Sequence, residues 1–366
     1  MEELPPVNPN LASLTPYKPG KPVDELTREL GITDVIKLAS NENPRGPGER
    51  VLAALQAASG DLSRYPDGNG FRLKQALARH LGVSEKQITL GNGSNDVLDL
   101  VARLAITPGA EVLVADHSFI VYTLATTLCG GTLVKVPARD YGADLGAMLA
   151  AVTERTTLVF LANPNNPTGT WVNETALRAF LDALPARVWV VLDEAYFEYV
   201  DAPGYPDGLG LMPDYPNLIV TRTFSKIHAL AALRVGYGVS APAVADLLNR
   251  ARQPFNVNSL ALAAAATALE DQEFVQESRA LNRAGMTTLC AGFERLGLDY
   301  IPSVGNFVTF ALPEGQSAAQ VYEALLRLGV IVRPVAEYGL PRHLRVTVGL
   351  PAENTRFLDA LGQVLG

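Results

Sequence analysis

A lysine closes the run Leu218-Ile219-Val220-Thr221-Arg222-Thr223-Phe224-Ser225-Lys226, where an apolar, β-branched segment should end as a strand. Lysine is poorly suited to burial, so its amine there calls for a task, and a Schiff base with an aldehyde cofactor is one. Taken alone, Ser225-Lys226 reads first as a solvated loop lysine, and only its company elsewhere in the chain argues otherwise. A second apolar run, Val188 to Leu192, ends in Asp193-Glu194-Ala195-Tyr196. An aspartate buried at a strand end must pair with a cation or a metal to stay charged. A protonated pyridine nitrogen would be such a partner, and Tyr196 could reach a phenolate oxygen on the same ring. A third run, Ile88 to Leu90, leads into Gly91-Asn92-Gly93-Ser94-Asn95-Asp96 and a helix, the pattern of a phosphate cradle at a helix N-terminus.

Each of these signals has a plainer reading. Gly93-Ser94 is also an ordinary strand-to-helix turn with Ser94 or Asn95 as N-cap. It is not a dinucleotide fingerprint, because Asp96 stands where the third glycine belongs. The Asp193-Glu194 pair suits a magnesium-binding strand of a nucleotide hydrolase, but the chain has no G-x-x-x-x-G-K-[ST] loop. Tyr196 alone reads as a half-buried aromatic and Phe119 as a core phenylalanine. The asparagines of Asn163-Pro164-Asn165-Asn166-Pro167-Thr168-Gly169 could cap one another.

What positions these groups is an alternation of strands and helices. Strands are expected at Ile88–Leu90, Glu111–Ala115, Thr132–Val136, Thr157–Ala162, Val188–Leu192, Leu218–Thr221 and Val235–Val239. Helices are expected at Asp96–Ala105, Ile120–Leu128 and Glu174–Ala183. This is the signature of an α/β fold with a largely parallel sheet covered on both faces. Ligands of such sheets bind beyond the carboxyl ends of the strands, where all these polar clusters fall. Residues 1–37, rich in proline, form an arm expected to pack on the smaller domain or a partner. Residues 38–250 form a large domain. Residues 251–366 form a smaller α+β domain, opened by a long helical region broken near 252–258. Its strands are expected at Phe307–Phe310, Val330–Val332 and Leu344–Val348, its helices at Ala318–Leu328 and Asn354–Val364. Arg345 there shares a strand face with His343 and Thr347, opposite Leu344, Val346 and Val348.

Composition narrows the function. The 366 residues are 48% hydrophobic and 19% charged with a net charge of −8, which disfavours a nucleic-acid surface. Two cysteines cannot build a disulfide framework or a cysteine-rich metal site, so no metal is expected and a reducing cytoplasm fits. The start of the chain lacks the pattern of a signal peptide, and no stretch is apolar for long enough to span a membrane.

Together the residues resemble the fold-type I, pyridoxal-phosphate-dependent aminotransferases, and within them the histidinol-phosphate aminotransferases. The resemblance runs through Leu38-Ala39-Ser40-Asn41-Glu42-Asn43-Pro44, Arg64-Tyr65-Pro66-Asp67-Gly68, the Gly93-Ser94 turn, Asn163 to Gly169, Asp193 to Tyr196, Arg222 to Lys226 and Leu344 to Gly349. It implies pyridoxal 5'-phosphate as cofactor, carried on Lys226, which then serves as the general acid/base. It implies that Asp193 pairs with the ring nitrogen, that Asn166 and Tyr196 bind the ring hydroxyl, and that Phe119 stacks on the ring. Gly93, Ser94, Asn95, Ser225 and Arg234 would hold the phosphate, joined by Tyr65 of the partner subunit in a homodimer. Arg345 would take the carboxylate of the amino-acid substrate, and Tyr17 and Arg333 the phosphate of the distinguishing one. Asn43 and Asn166 complete the expected substrate set. The implied reaction is transamination between L-histidinol phosphate and 2-oxoglutarate, in histidine biosynthesis. Two departures bear on the substrate: Ala232 replaces a usual glycine, and His117-Ser118-Phe119 replaces Pro-x-Tyr. Aromatic aminotransferases, threonine-phosphate decarboxylases and a non-catalytic binding module on the same fold are the alternatives.

Overall fold

The computed structural model describes residues 7–16 and 20–366. In chain order its strands are β1 (Ile36–Lys37), β2 (Ile88–Gly91), β3 (Glu111–Ala115), β4 (Thr132–Val136), β5 (Thr156–Ala162), β6 (Trp189–Asp193) and β7 (Leu218–Thr223). They continue with β8 (Gly236–Val239), β9 (Tyr300–Ile301), β10 (Phe307–Ala311), β11 (Val330–Ile331), β12 (Arg333–Pro334) and β13 (His343–Thr347). Seven form one sheet in the order β2-β8-β7-β6-β5-β3-β4. Strands β3 to β7 run parallel, whereas β8 is antiparallel to both its neighbours, β7 and β2.

The central strands read as unbroken apolar runs because both of their faces are covered. Alternate residues separate cleanly: Val159, Leu161, Val190, Leu192 and Val220 enter one hydrophobic cluster, while Leu158, Phe160, Val191 and Ile219 enter another. Helices Phe71–Leu81, Glu174–Ala183 and Ser259–Glu270 cover the first face. Helices Ser94–Ala105 and Pro242–Ala251 cover the second.

The smaller sheet is antiparallel, in the order β12-β13-β10-β9. One of its faces carries Val308, Phe310, Leu344 and Val346, packed under helices Gln272–Arg295, Ala318–Arg327 and Pro351–Leu365. Its other face carries Thr309, Arg333, Arg345 and Thr347. The arm's helix Val23–Leu30 buries Leu26 against Leu326 and Ile331 of this unit, and β1 pairs with β11.

By packing, the two cores do not change hands at residue 250. Val257, Ala261, Ala264, Ala265, Ala268 and Leu269 all lie in the large core, because their alanine-rich helix docks on Glu49–Ala58 and Phe71–Leu81. Asp271 ends that helix and caps the next by accepting from the Phe274 amide. Val275 of that next helix still packs with Tyr196, Tyr199 and Ile227, and Leu289 and Phe293 further along it enter the smaller core. Among the described residues no helix is long and apolar enough to cross a membrane.

Candidate active site

Strands β2, β3, β5, β6 and β7 all end at one edge of the large sheet, and antiparallel β8 begins there. That reversal is why Arg234, which precedes a strand rather than following one, reaches the same crevice as Lys226. The crevice holds a cavity of about 180 Å³, closed on its far side by β13 and by Ser40 and Asn41. Among the described residues Lys226, Arg234 and Arg345 line it, and Asp193 is the one carboxylate that does. Three cations against one anion make a site for a ligand carrying more than one negative charge.

Ser94 and Asn95 open a twelve-residue helix at the cavity wall, where unsatisfied amides and the helix dipole favour an anion. Gly93 has φ 81°, and a Cβ there would lie 2.6 Å from Arg234 Nη2. A Cβ on Gly236 would lie 2.4 Å from the Ser94 amide nitrogen. Two missing side chains thus let a guanidinium close on a helix terminus. Arg234 donates to the Ala231 carbonyl at 3.0 Å and to Ser225 Oγ at 3.4 Å.

Lys226 Nζ donates to the Ser40 carbonyl at 3.2 Å and lies 5.5 Å from the Tyr196 ring centre. Burial, with the charges of Arg345 and Arg234, holds its ammonium down at about 8, from an ordinary 10.5. About a tenth of Lys226 is therefore uncharged at pH 7, far more than of an ordinary lysine. Asp193 is buried, and burial raises its pKa against the pull of its donors and of Lys226. Asn166 Oδ1 accepts from Arg345 Nη1, which leaves the amide nitrogen as its donor toward a ligand. Arg345 also donates to the Ala39 carbonyl at 2.6 Å. Phe119 lines the cavity, braced edge-on by Tyr122 at 5.9 Å.

Glu194, next to Asp193, points the other way. It accepts from buried Arg222 at 2.9 and 2.7 Å, and Arg222 lies 3.5 Å over the Phe197 ring. The second carboxylate of the Asp193-Glu194 pair is therefore part of a structural ion pair.

Not every expected residue reaches the cavity. Asn43 is buried behind it, donating to the Ile227 carbonyl at 2.8 Å and to Ser278 Oγ at 2.9 Å, so its amide is not presented to a ligand. Arg333 sits opposite Arg345 in register on the same sheet face, but it pairs with Glu337 outside the lining. Tyr65 is 82% exposed and stacks on Phe255 at 4.7 Å, away from the cavity of its own chain. Tyr17 lies outside the described residues. Conversely, Asn41, Tyr122 and Tyr338 line the site without having been singled out. Asn41 has φ 55° and donates to Tyr196 Oη at 2.9 Å. A left-handed asparagine within Ser40-Asn41-Glu42-Asn43 is a faint signal, and its partner is 155 residues away.

The model for aminotransferases of class I and II matches residues 33–361. A histidinol-phosphate aminotransferase of Pseudomonas fluorescens is 58% identical over 98% of this chain and 96% of its own length. That of Methylobacillus flagellatus is 54% identical over 97% and 96%. The crystal structure of the Sinorhizobium meliloti histidinol-phosphate aminotransferase in complex with pyridoxal 5'-phosphate superposes with a TM-score of 0.91. It is 33% identical, with 100% of this chain and 98% of that one covered. A lysine, an aspartate, a guanidinium-closed helix terminus and a second arginine meet here in one crevice of this fold. The chain belongs to the histidinol-phosphate aminotransferase family, within the aminotransferases of class I and II.

Proposed function

We propose that this protein transfers the amino group of L-histidinol phosphate to 2-oxoglutarate, giving imidazole-acetol phosphate and L-glutamate, with pyridoxal 5'-phosphate as cofactor. The observation that carries the chemistry is the convergence of Lys226, Asp193, Arg234 and Arg345 on one cavity. The cofactor fits on structural grounds: the cradle at Gly93, Ser94 and Gly236 closes if either glycine gains a Cβ, and Asp193 is a buried carboxylate facing a polar cavity. When bound, pyridoxal phosphate supplies an aldehyde for the amino group and a ring that takes up the electron pair left at the substrate Cα.

The chain's own residues do the rest. Ser94, Asn95, Ser225 and Arg234 hold the phosphate at the helix terminus. Asp193 fixes the ring nitrogen in its protonated state, and Asn166 and Tyr196 orient the ring oxygen. Phe119 covers a ring face. Lys226, with its depressed pKa, would be the group that moves the proton at the substrate Cα, as general base and then general acid. Arg345 clamps the α-carboxylate that 2-oxoglutarate and glutamate share and histidinol phosphate lacks, by a planar two-point contact. Arg333, held by Glu337 directly beside Arg345, is the candidate for the phosphate of the other substrate, together with Tyr17.

A homodimer working in the cytoplasm completes the reading. Exposed Tyr65, with no role in its own chain's cavity, supports a contribution across the interface to the phosphate site of the other copy. Two half-buried unpaired cysteines suit a reducing compartment. Initial rates with histidinol phosphate, phenylalanine and threonine phosphate test the substrate. Histidinol phosphate is expected to give the highest kcat/KM. A preference for phenylalanine, or carbon dioxide release from threonine phosphate, would overturn the assignment.

A further inference from the structure

Asp193 is 5% exposed, and its two oxygens are held separately. Tyr122 Oη donates to Oδ2 at 2.7 Å, and Thr221 Oγ1 donates to Oδ1 at 3.1 Å. Thr221 is its direct register partner across β6 and β7, so the second donor is set by the sheet itself. Tyr122 is placed just as firmly. Its ring stacks on Phe160 at 4.7 Å with planes 3° apart, and it meets Phe119 edge-on. Two donors on two different oxygens stop the carboxylate from turning about its own axis. The Ala195 backbone amide also donates to Asp193, and the carboxylate still keeps acceptor capacity, because an ionised carboxylate takes about four hydrogen bonds.

Burial alone pushes Asp193 toward the neutral acid, and a neutral acid cannot keep a ring nitrogen protonated. Donors to a carboxylate favour the charged form. Neither hydroxyl belongs to the residues that hold the cofactor in the reading above, yet both act on the residue that sets its charge. We propose that Tyr122 and Thr221 are positioning residues that keep Asp193 ionised and oriented toward the ring nitrogen of the bound cofactor. This rests on the reading of Asp193 as the partner of that nitrogen. Tyr122 has a second function through the same ring, since it braces Phe119 from the side.

Tyr122→Phe and Thr221→Val separate the hydroxyls from the packing, because each keeps the shape and loses the O–H. The test is the ¹⁵N NMR signal of the ring nitrogen in protein loaded with ¹⁵N-labelled pyridoxal phosphate, at one fixed pH. The wild-type signal is expected at the protonated position. Tyr122→Phe should move it toward the unprotonated position, and Thr221→Val should move it the same way by less. Cofactor should also dissociate faster from Tyr122→Phe, by about tenfold, as for loss of one hydrogen bond to a charged group. Folded variants with an unshifted nitrogen signal overturn the proposal, even if their melting temperature falls. If Tyr122→Phe does not fold, the shift or its absence in Thr221→Val decides. A wild-type ring nitrogen that is itself unprotonated would instead overturn the reading of Asp193.

Discussion

At the scale of single residues, the charged lining of the cavity was legible where an unusual side chain followed an apolar run. Lys226 and Asp193 stood out because strands β7 and β6 carry them into burial that their charge resists. The two hydroxyls that donate to Asp193 were not legible. Tyr122 lies 71 residues from Asp193 and looks like any core aromatic, and Thr221 looks like an ordinary β-branched strand residue. Asn43 misled for the converse reason, since an asparagine that caps backbone looks the same as one that binds a ligand. The depressed pKa of Lys226 has a kinetic consequence. If Lys226 carries the cofactor, as proposed, its uncharged form is the one that would combine with it, so capture of pyridoxal phosphate by the apoprotein should rise with pH and level off above about 8. An ordinary lysine would keep gaining rate up to about 10.4. Stopped-flow absorbance against pH reads the difference. Arg345→Ala should weaken glutamate by about 1.5–3 kcal/mol, roughly tenfold or more, seen as a higher KM for glutamate. Unchanged KM would make Arg345 a structural residue that only ties Ala39 to Asn166.

At the scale of elements, the long buried strands and the helices named from pattern lie within a few residues of their expected ends, whereas the helices Val23–Leu30, Glu49–Ala58 and Phe71–Leu81 were not picked out. The two-residue strands β1, β11 and β12 were not all readable, because two residues carry no periodicity. Nor was the direction of β8, which the apolar run Val235–Val239 does not encode. That direction matters, since it brings Arg234 and Gly236 to the carboxyl edge of the other strands. Gly236→Ala tests how tightly the two elements must meet. Its Cβ would press on the Ser94 amide at 2.4 Å with backbone on both sides. It should destabilise the apoprotein by about 1–3 kcal/mol, as overpacking does, and weaken pyridoxal phosphate binding besides. Thermal melts with and without cofactor, and a cofactor titration, measure both. Wild-type cofactor affinity in a folded Gly236→Ala protein would remove the cradle from the phosphate site.

At the scale of the whole molecule, the site is made where two cores meet. The large sheet supplies Lys226, Asp193 and the helix terminus, the small sheet supplies Arg345, and residues 39–41 run between them. The division into a large and a small unit was legible from the change of pattern after β8. Its position was not, because neither the alanine-rich helix Ser259–Glu270 nor the long helix after it reveals in its pattern which core each stretch joins. A homodimer in which Tyr65 acts across the interface predicts complementation. Lys226→Ala and Tyr65→Ala proteins, each impaired alone, should regain activity when refolded together, since one hybrid site then holds both native residues. No gain on mixing would return Tyr65 to the surface of its own chain. The most direct test of the central claim is one half-reaction followed by absorbance. Protein loaded with pyridoxal phosphate should be yellow and should lose its visible band when histidinol phosphate is added without 2-oxoglutarate. Lys226→Ala should bind the cofactor yet keep its band over the same time. A protein that gains no visible absorption with pyridoxal phosphate, or a Lys226→Ala variant that bleaches at the wild-type rate, would contradict it.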